Sequence, residues 1–89
     1  MTTRMHAVVS GRVQGVGFRW SARAEAERRG VAGWVRNRED GTVEAELEGS
    51  HEAVQGMLVW LGQGPAGARV SGVDTTDVAV TGATGFEIR

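Results

Sequence analysis

The sequence predicts an α+β sandwich of βαββαβ order, with two helices on one face of a single antiparallel-mixed sheet. Segments of period-two alternation and of helical periodicity follow one another in that order along the 89 residues. An Asp40-Gly41 pair, a common hairpin turn signal, separates the second strand from the third. A right-handed crossover through the first helix makes the first two strands parallel. Together these observations predict the ferredoxin-like, split βαβ arrangement.

The first strand and the first helix enclose a glycine-bearing turn. Over residues 5–12 the more apolar and the more polar side chains alternate loosely, which is typical of a central strand whose two faces are both partly covered. Over residues 18–29 the apolar residues recur at helical spacing and form a narrow stripe that begins at Phe18. Gly30 follows two arginines and suits the C-terminal cap of this helix.

The second and third strands are predicted over residues 31–38 and from residue 43 onward. In the third strand three apolar residues alternate with polar ones. The outward residues are Thr42, Glu44, Glu46 and Glu48. We interpret these glutamates as a solvated sheet face and not as a carboxylate pair for acid–base chemistry, because nothing around them indicates a raised pKa.

The second half of the chain supplies one helix and two strands. Ser50 is the predicted N-cap of the second helix. The apolar stripe of that helix is Val54, Met57, Leu58 and Leu61. After a loop over residues 62–67, a fourth strand is predicted over 68–80 with a bulge or interruption near 74–76, and residues 86–88 form a short closing strand.

Composition limits the classes of function. The length fits one domain over residues 1–89, and the net charge of −1 provides no basic field for nucleic acid. The absence of cysteine excludes a disulfide framework and a thiolate metal site. No apolar stretch has the length of a signal peptide or a membrane span. We therefore expect a cytoplasmic protein with no membrane partner, and we expect a monomer.

The turn between the first strand and the first helix has the features of an anion site. It reads Gly11-Arg12-Val13-Gln14-Gly15-Val16-Gly17-Phe18-Arg19. Backbone N–H groups at a helix N-terminus lack intrahelical partners and carry the positive end of the helix dipole. Arg19 adds a planar set of donors suited to phosphate oxygens. The alternative interpretation is a tight glycine turn with a solvated arginine. The turn matches neither the Walker loop nor the dinucleotide-binding glycine motif, so it indicates an anion site and not a nucleotide site.

Asn37, the one asparagine of the chain, ends the second predicted strand. Because the first two strands are parallel, their C-terminal ends lie at the same edge of the sheet. If the third strand lies between them, Asn37 and the glycine-bearing turn are about 10 Å apart, and one water could bridge a small anion bound on the turn to Asn37 across that gap. The alternative is that Asn37 only initiates the hairpin turn.

Two segments resemble the signatures of the acylphosphatase family. The first is the Gly11–Arg19 segment quoted above. The second is Gly30-Val31-Ala32-Gly33-Trp34-Val35-Arg36-Asn37 followed by Asp40-Gly41-Thr42-Val43-Glu44. The fit in size and element order covers the whole chain, while residues 66–85 resemble nothing specific.

The resemblance implies a hydrolase that acts on small acyl phosphates and releases inorganic phosphate, which we also expect to inhibit. In the family, the arginine at the position of Arg19 holds the phosphoryl group and the asparagine at the position of Asn37 orients the attacking water. The loop residues whose backbone N–H groups would hold the phosphoryl oxygens are Gln14, Gly15, Val16, Gly17 and Phe18. No cofactor and no metal are implied.

Two rival functions remain on the same fold. One is a non-catalytic anion-binding or interaction module, which requires Asn37 to have no part in catalysis. The other is an RNA-binding domain, which needs aromatic side chains on the central strands and a basic face. The third strand presents threonine and glutamate instead, so the RNA-binding function is disfavoured.

Overall fold

Seven elements make up the computed structural model, which describes residues 1–89. The strands are β1 (Thr2–Arg12), β2 (Ala32–Asn37), β3 (Val43–Ser50), β4 (Arg69–Val78) and β5 (Phe86–Ile88), and the helices are α1 (Phe18–Arg29) and α2 (His51–Gln63). The predicted short closing strand is present as β5. Neither helix is long and apolar enough to cross a membrane.

The sheet has the strand order β4-β1-β3-β2-β5. The central strand β3 is antiparallel to β1 and to β2, so β1 and β2 run parallel, and β5 adds to β2 in parallel. The predicted fold class is therefore confirmed, and β3 does lie between the two strands that lead to the candidate site.

The irregularity between β1 and β4 lies elsewhere than predicted. Ser10 is paired with Gly72 but Gly11 with Val70, so the extra residue is Ser71 and not one of residues 74–76. Gly11 has a φ of 121°, and a Cβ on it would lie 2.1 Å from the Arg69 carbonyl oxygen. The bulge therefore sits where β1 turns toward the candidate anion loop, and the close approach requires glycine there.

One face of the sheet packs against both helices. The buried apolar residues are Ala7, Val9, Val13, Phe18, Ala22, Ala26, Val31, Val35, Val43, Ala45, Leu47, Val54, Met57, Leu61 and Phe86. Apart from Phe18, α1 contributes only alanines to this core. Phe18 also packs against Trp60, with the two ring centroids 5.5 Å apart. Alanines at the remaining contact positions let α1 lie close to the sheet.

The opposite face is not the solvated surface that we expected from the β3 glutamates. Arg4 bridges two of them, with Nε 2.6 Å from Glu46 Oε1 and Nη1 2.8 Å from Glu48 Oε1. His6 Nε2 lies 2.6 Å from Glu44 Oε2. These cross-strand pairs arise because β1 and β3 place basic and acidic side chains opposite each other on one face. The prediction of a solvated face was wrong because it considered β3 alone.

Glu48 anchors the segment that crosses from β4 at one sheet edge to β5 at the other. Its carboxylate accepts hydrogen bonds from the backbone N–H groups of Thr81, Gly82 and Ala83 at 2.8–2.9 Å, and from the Thr81 hydroxyl at 3.1 Å. Only 4% of Glu48 is exposed. The Thr81 backbone N–H, helped by Arg4, lowers the pKa of Glu48 from 4.5 to about 2, although burial opposes the change.

We expect Glu48→Gln to lower the Tm at pH 7 by roughly 10 °C or more, because it removes the charge that holds three N–H groups and leaves Arg4 buried with one fewer partner. A group whose pKa is depressed on folding stabilises the fold above its unfolded pKa, and this stabilisation is lost as the pH falls toward the folded pKa. The Tm difference between wild type and variant should therefore shrink between about pH 4.5 and pH 2.

Thermal unfolding followed by circular dichroism across that pH range measures this effect. Glu39→Gln is the matched control, because Glu39 is exposed on the hairpin turn. A Tm difference that stays constant down to pH 2 would contradict the role given to the Glu48 charge.

Candidate active site

The loop between β1 and α1 spans residues 13–17 and is shaped by two glycines. Gly15 and Gly17 have φ values of 75° and 76°, in the left-handed region that favours glycine. Gly17 is the N-cap of α1, and no side chain caps the helix there. The chain therefore enters α1 with its first turn uncapped.

The backbone N–H groups of residues 14–18 donate to no other atom of the protein. The first hydrogen bond of the α1 ladder is from Ser21 N to the Gly17 carbonyl. The first turn of α1 also contains no acidic residue, so nothing on the helix opposes an anion. These five donors are the ones that the sequence predicted as the phosphate-holding group, and they lie at the positive end of the helix dipole.

Arg19 is half-buried in the first turn of α1 and forms no ion pair. Most other arginines have a carboxylate partner, for example Arg23 with Glu27 and Arg29 with Glu25. The Arg19 guanidinium is thus available to a ligand at the mouth of the loop. Its placement agrees with the sequence prediction, while its role stays a prediction.

Asn37 is the last residue of β2, and its half-buried side chain makes no hydrogen bond within the protein. The hairpin turn is instead held by Asp40, whose Oδ1 accepts from the Thr42 backbone N–H at 3.0 Å and from its hydroxyl at 2.6 Å. Asp40 therefore carries out the turn-forming task that was the alternative explanation for Asn37. The Asn37 amide is left free to contact a ligand.

A cavity of about 150 Å³ brings the predicted residues together. Its lining consists of Val13, Gly15, Gly17, Phe18, Arg19, Trp20 and Asn37. The volume corresponds to roughly five water molecules at liquid density, which is the scale of one phosphoryl group. Val13 and Trp20 were not predicted, whereas Gln14 and Val16 belong to the loop without lining the cavity. Trp20 directly follows Arg19, and this adjacency was the only sequence signal for it.

The Gln14 side chain does not line the cavity and instead contacts the hairpin turn. Its Nε2 donates to the carbonyl oxygens of Arg38 at 2.7 Å and of Thr42 at 2.9 Å. Only the NH₂ end of an amide can donate to two carbonyls at once, so these contacts fix its orientation. The sequence pattern gave no indication of this contact, because it joins positions 24 and 28 residues apart.

The chemistry of the cavity is that of oxyanion binding. Backbone N–H groups, a guanidinium and an amide are the donors, and no carboxylate lines the cavity. Nowhere in the structure do three or more His, Cys, Asp or Glu side chains gather in a way that could hold a metal ion. The arrangement can bind a tetrahedral anion and place a water beside it.

Comparisons with known proteins agree with this chemistry. A family model described as acylphosphatase matches residues 5–88. An acylphosphatase of Pseudomonas paraeruginosa is 54% identical to this chain over 85 residues, which is 96% of this chain and 93% of that protein.

Two solved structures are similar over nearly their full lengths. The structure of an acylphosphatase from Coxiella burnetii superposes with a TM-score of 0.95 at 39% identity and covers 99% of this chain and 93% of its own. That of an acylphosphatase from Bacillus subtilis has a TM-score of 0.95 at 38% identity, with coverage of 100% and 99%. The resemblance predicted from the two sequence segments is confirmed. The chain belongs to the acylphosphatase family and is an enzyme that hydrolyses the carboxyl–phosphate bond of acyl phosphates.

Proposed function

We propose that the cavity between the loop and Asn37 is the catalytic site, where water attacks a phosphoryl group held by the loop. The observation that carries this proposal is the set of five loop N–H groups that have no acceptor in the protein, three of which belong to residues that line the same cavity as Arg19 and Asn37. The water oxygen bonds to phosphorus as the bond from phosphorus to the acyl oxygen breaks. The carboxylate leaves with the electron pair, and inorganic phosphate remains.

The leaving group explains why the site needs no general acid. An acyl phosphate is a mixed anhydride, and its carboxylate product is stable without a proton at neutral pH. The cavity lining accordingly contains no His, Asp or Glu. Phosphoryl transfer passes through a loose transition state with charge on the equatorial oxygens, so positioning and electrostatic stabilisation provide most of the catalysis.

In this proposal Arg19 aligns the phosphoryl group. A guanidinium presents parallel donors that pair with two oxygens of one phosphoryl group, which an ammonium cannot do in the same geometry. The loop N–H groups of residues 14–18 bind the remaining charge. These donors are fixed before the substrate arrives, so little reorganisation is required during the reaction.

Asn37 orients the attacking water. Its side chain is uncharged, and its amide oxygen accepts a hydrogen bond from the water and fixes the direction of attack. The protons of the water pass to the phosphate itself, so the proposed mechanism includes no protein base.

We further propose that the enzyme works in the cytoplasm as a monomer, without a metal, a nucleic-acid partner or a membrane partner. The cysteine-free composition suits any redox environment, the reducing cytoplasm included. The paired charges on the outer sheet face support the monomer, because the centres of protein interfaces are depleted in charged residues.

Hydrolysis of a small acyl phosphate should persist undiminished in excess chelator, because the proposed donors are all protein groups. Inorganic phosphate should inhibit competitively, since it fits the same cavity. Steady-state kinetics with EDTA, and with phosphate up to tens of millimolar, test both expectations. Activity lost in chelator and restored by Mg²⁺ would refute the metal-free mechanism, and absence of competition would argue against the loop as the site.

Asn37→Ala should lower kcat by roughly 10²–10³-fold, the scale seen when one positioned polar group is removed from a polar transition state. The inhibition constant of phosphate should hardly change, because Asn37 contacts the water and not the phosphoryl oxygens. Steady-state kinetics of the variant, with and without added phosphate, measure its kcat and the inhibition constant of phosphate. Weakened phosphate binding with an unchanged kcat would mean that Asn37 does not orient the water.

Arg19→Lys separates charge from geometry. If paired alignment of the loose transition state is the main task, lysine should be nearly as poor as alanine. We expect both variants to lose at least about 10³-fold in kcat/KM, on the order of 4 kcal/mol. Both should remain folded, because Arg19 makes no ion pair in the structure.

The matched control is Arg28→Lys, which changes an exposed arginine at the far end of the same helix and should retain full activity. Steady-state hydrolysis and circular dichroism of the four proteins complete the test. An Arg19→Lys variant within tenfold of wild type would show that the planar donor arrangement is not required.

A further inference from the structure

The hydrogen bonds of the sheet leave the candidate loop unattached to the hairpin that presents Asn37. The pairing of β1 with β3 ends at Val9 and Val43, and beyond this point β1 continues with β4 alone. The pairing of β2 with β3 ends at Asn37 and Val43. The loop therefore extends beyond the last pair of β1 with β3, whereas Asn37 lies at the last pair of β2 with β3.

The Gln14 side chain provides the hydrogen bonds that cross this gap. It reaches from the second residue of the loop to the carbonyls of Arg38 and Thr42. No other hydrogen bond joins residues 13–17 to the turn at residues 38–42. Without the Gln14 amide, the loop and the turn are connected only by packing and by the covalent chain.

The two carbonyls that Gln14 contacts belong to the closing hydrogen bonds of the turn. Arg38 N donates to the Thr42 carbonyl at 2.9 Å, and Gly41 N donates to the Arg38 carbonyl at 3.2 Å. Arg38 directly follows Asn37 in the chain. The Gln14 amide thus holds the peptide next to Asn37 at a fixed distance from the loop N–H groups.

We infer that Gln14 is a positioning residue of the catalytic site, which sets the distance between the phosphoryl group on the loop and the water on Asn37. The inference rests on the proposed roles of the loop and of Asn37. In-line attack tolerates little error, since a displacement of about 1 Å costs on the order of 10²-fold in rate. A residue that fixes this distance acts on kcat and leaves anion binding to the loop unchanged.

Gln14→Leu removes both donors and keeps the backbone N–H of residue 14. We expect it to lower kcat by roughly 10–100-fold while the inhibition constant of inorganic phosphate changes by less than about threefold. Gln55→Leu is the matched control, because Gln55 is exposed on α2 and makes no side-chain hydrogen bond. Circular dichroism and Tm verify that each variant is folded.

A double-mutant cycle with Asn37→Ala provides the decisive measurement. If Gln14 acts by placing Asn37, Gln14→Leu should cost little further kcat once Asn37 is alanine. Additive effects, or a loss of phosphate binding that accounts for the loss of rate, would overturn the inference. An Asn37→Ala variant with unchanged kcat would instead refute the proposed mechanism, so the two failures are distinguishable.

Gln14→Glu gives an independent test, because its donor count depends on pH. The carboxylate would face two carbonyl oxygens without a proton to donate, whereas the protonated acid donates one hydrogen bond. The kcat of this variant relative to wild type should therefore rise as the pH falls from 8 to 5. A ratio that does not change with pH would show that donors at residue 14 have no effect on catalysis and would overturn the inference.

Discussion

The parallel direction of β1 and β2, with β3 antiparallel between them, is the constraint on which the rest of the structure depends. The crossover through α1 imposes it, and it brings the C-terminal ends of β1 and β2 to one edge of the sheet. The uncapped N-terminus of α1 and the end of β2 thus meet across a single intervening strand. Main-chain donors come from one side of the cavity and a neutral amide from the other. This division suits a reaction that needs positioning more than acid–base chemistry.

The sequence was sufficient to predict the features that depend on local pattern. The spacing of apolar residues in each segment predicted the order of the helices and strands. The residue types and spacing of Gly15, Gly17 and Arg19 indicated a candidate anion loop. Family resemblance added an expected role for Asn37, the orientation of the attacking water, and this role stays a prediction. The structure removed the competing explanation by assigning the turn-forming contacts to Asp40.

Features that depend on distant partners could not be predicted in this way. The β3 glutamates alternate with apolar residues, as they would on a solvated face. Only their register with Arg4 and His6 on β1 turns them into buried or partly buried ion pairs. The Gln14 amide finds its acceptors 24 and 28 residues away, and Glu48 finds its donors more than 30 residues away. The periodicity of the sequence does not indicate such contacts, because they arise from the way the topology brings distant segments together.

The pairing of β1 with β4 has a consequence for the order of folding. Arg4 is aligned with Val78, and the residues just before the loop are aligned with the start of β4 at the bulge. The first strand therefore completes its hydrogen bonds only when the last third of the chain is available, a non-local closure of the kind that slows folding. During synthesis the glycine-bearing turn is made early and acquires its final shape late. An amino-terminal fragment would contain every residue of the signature and still lack the cavity.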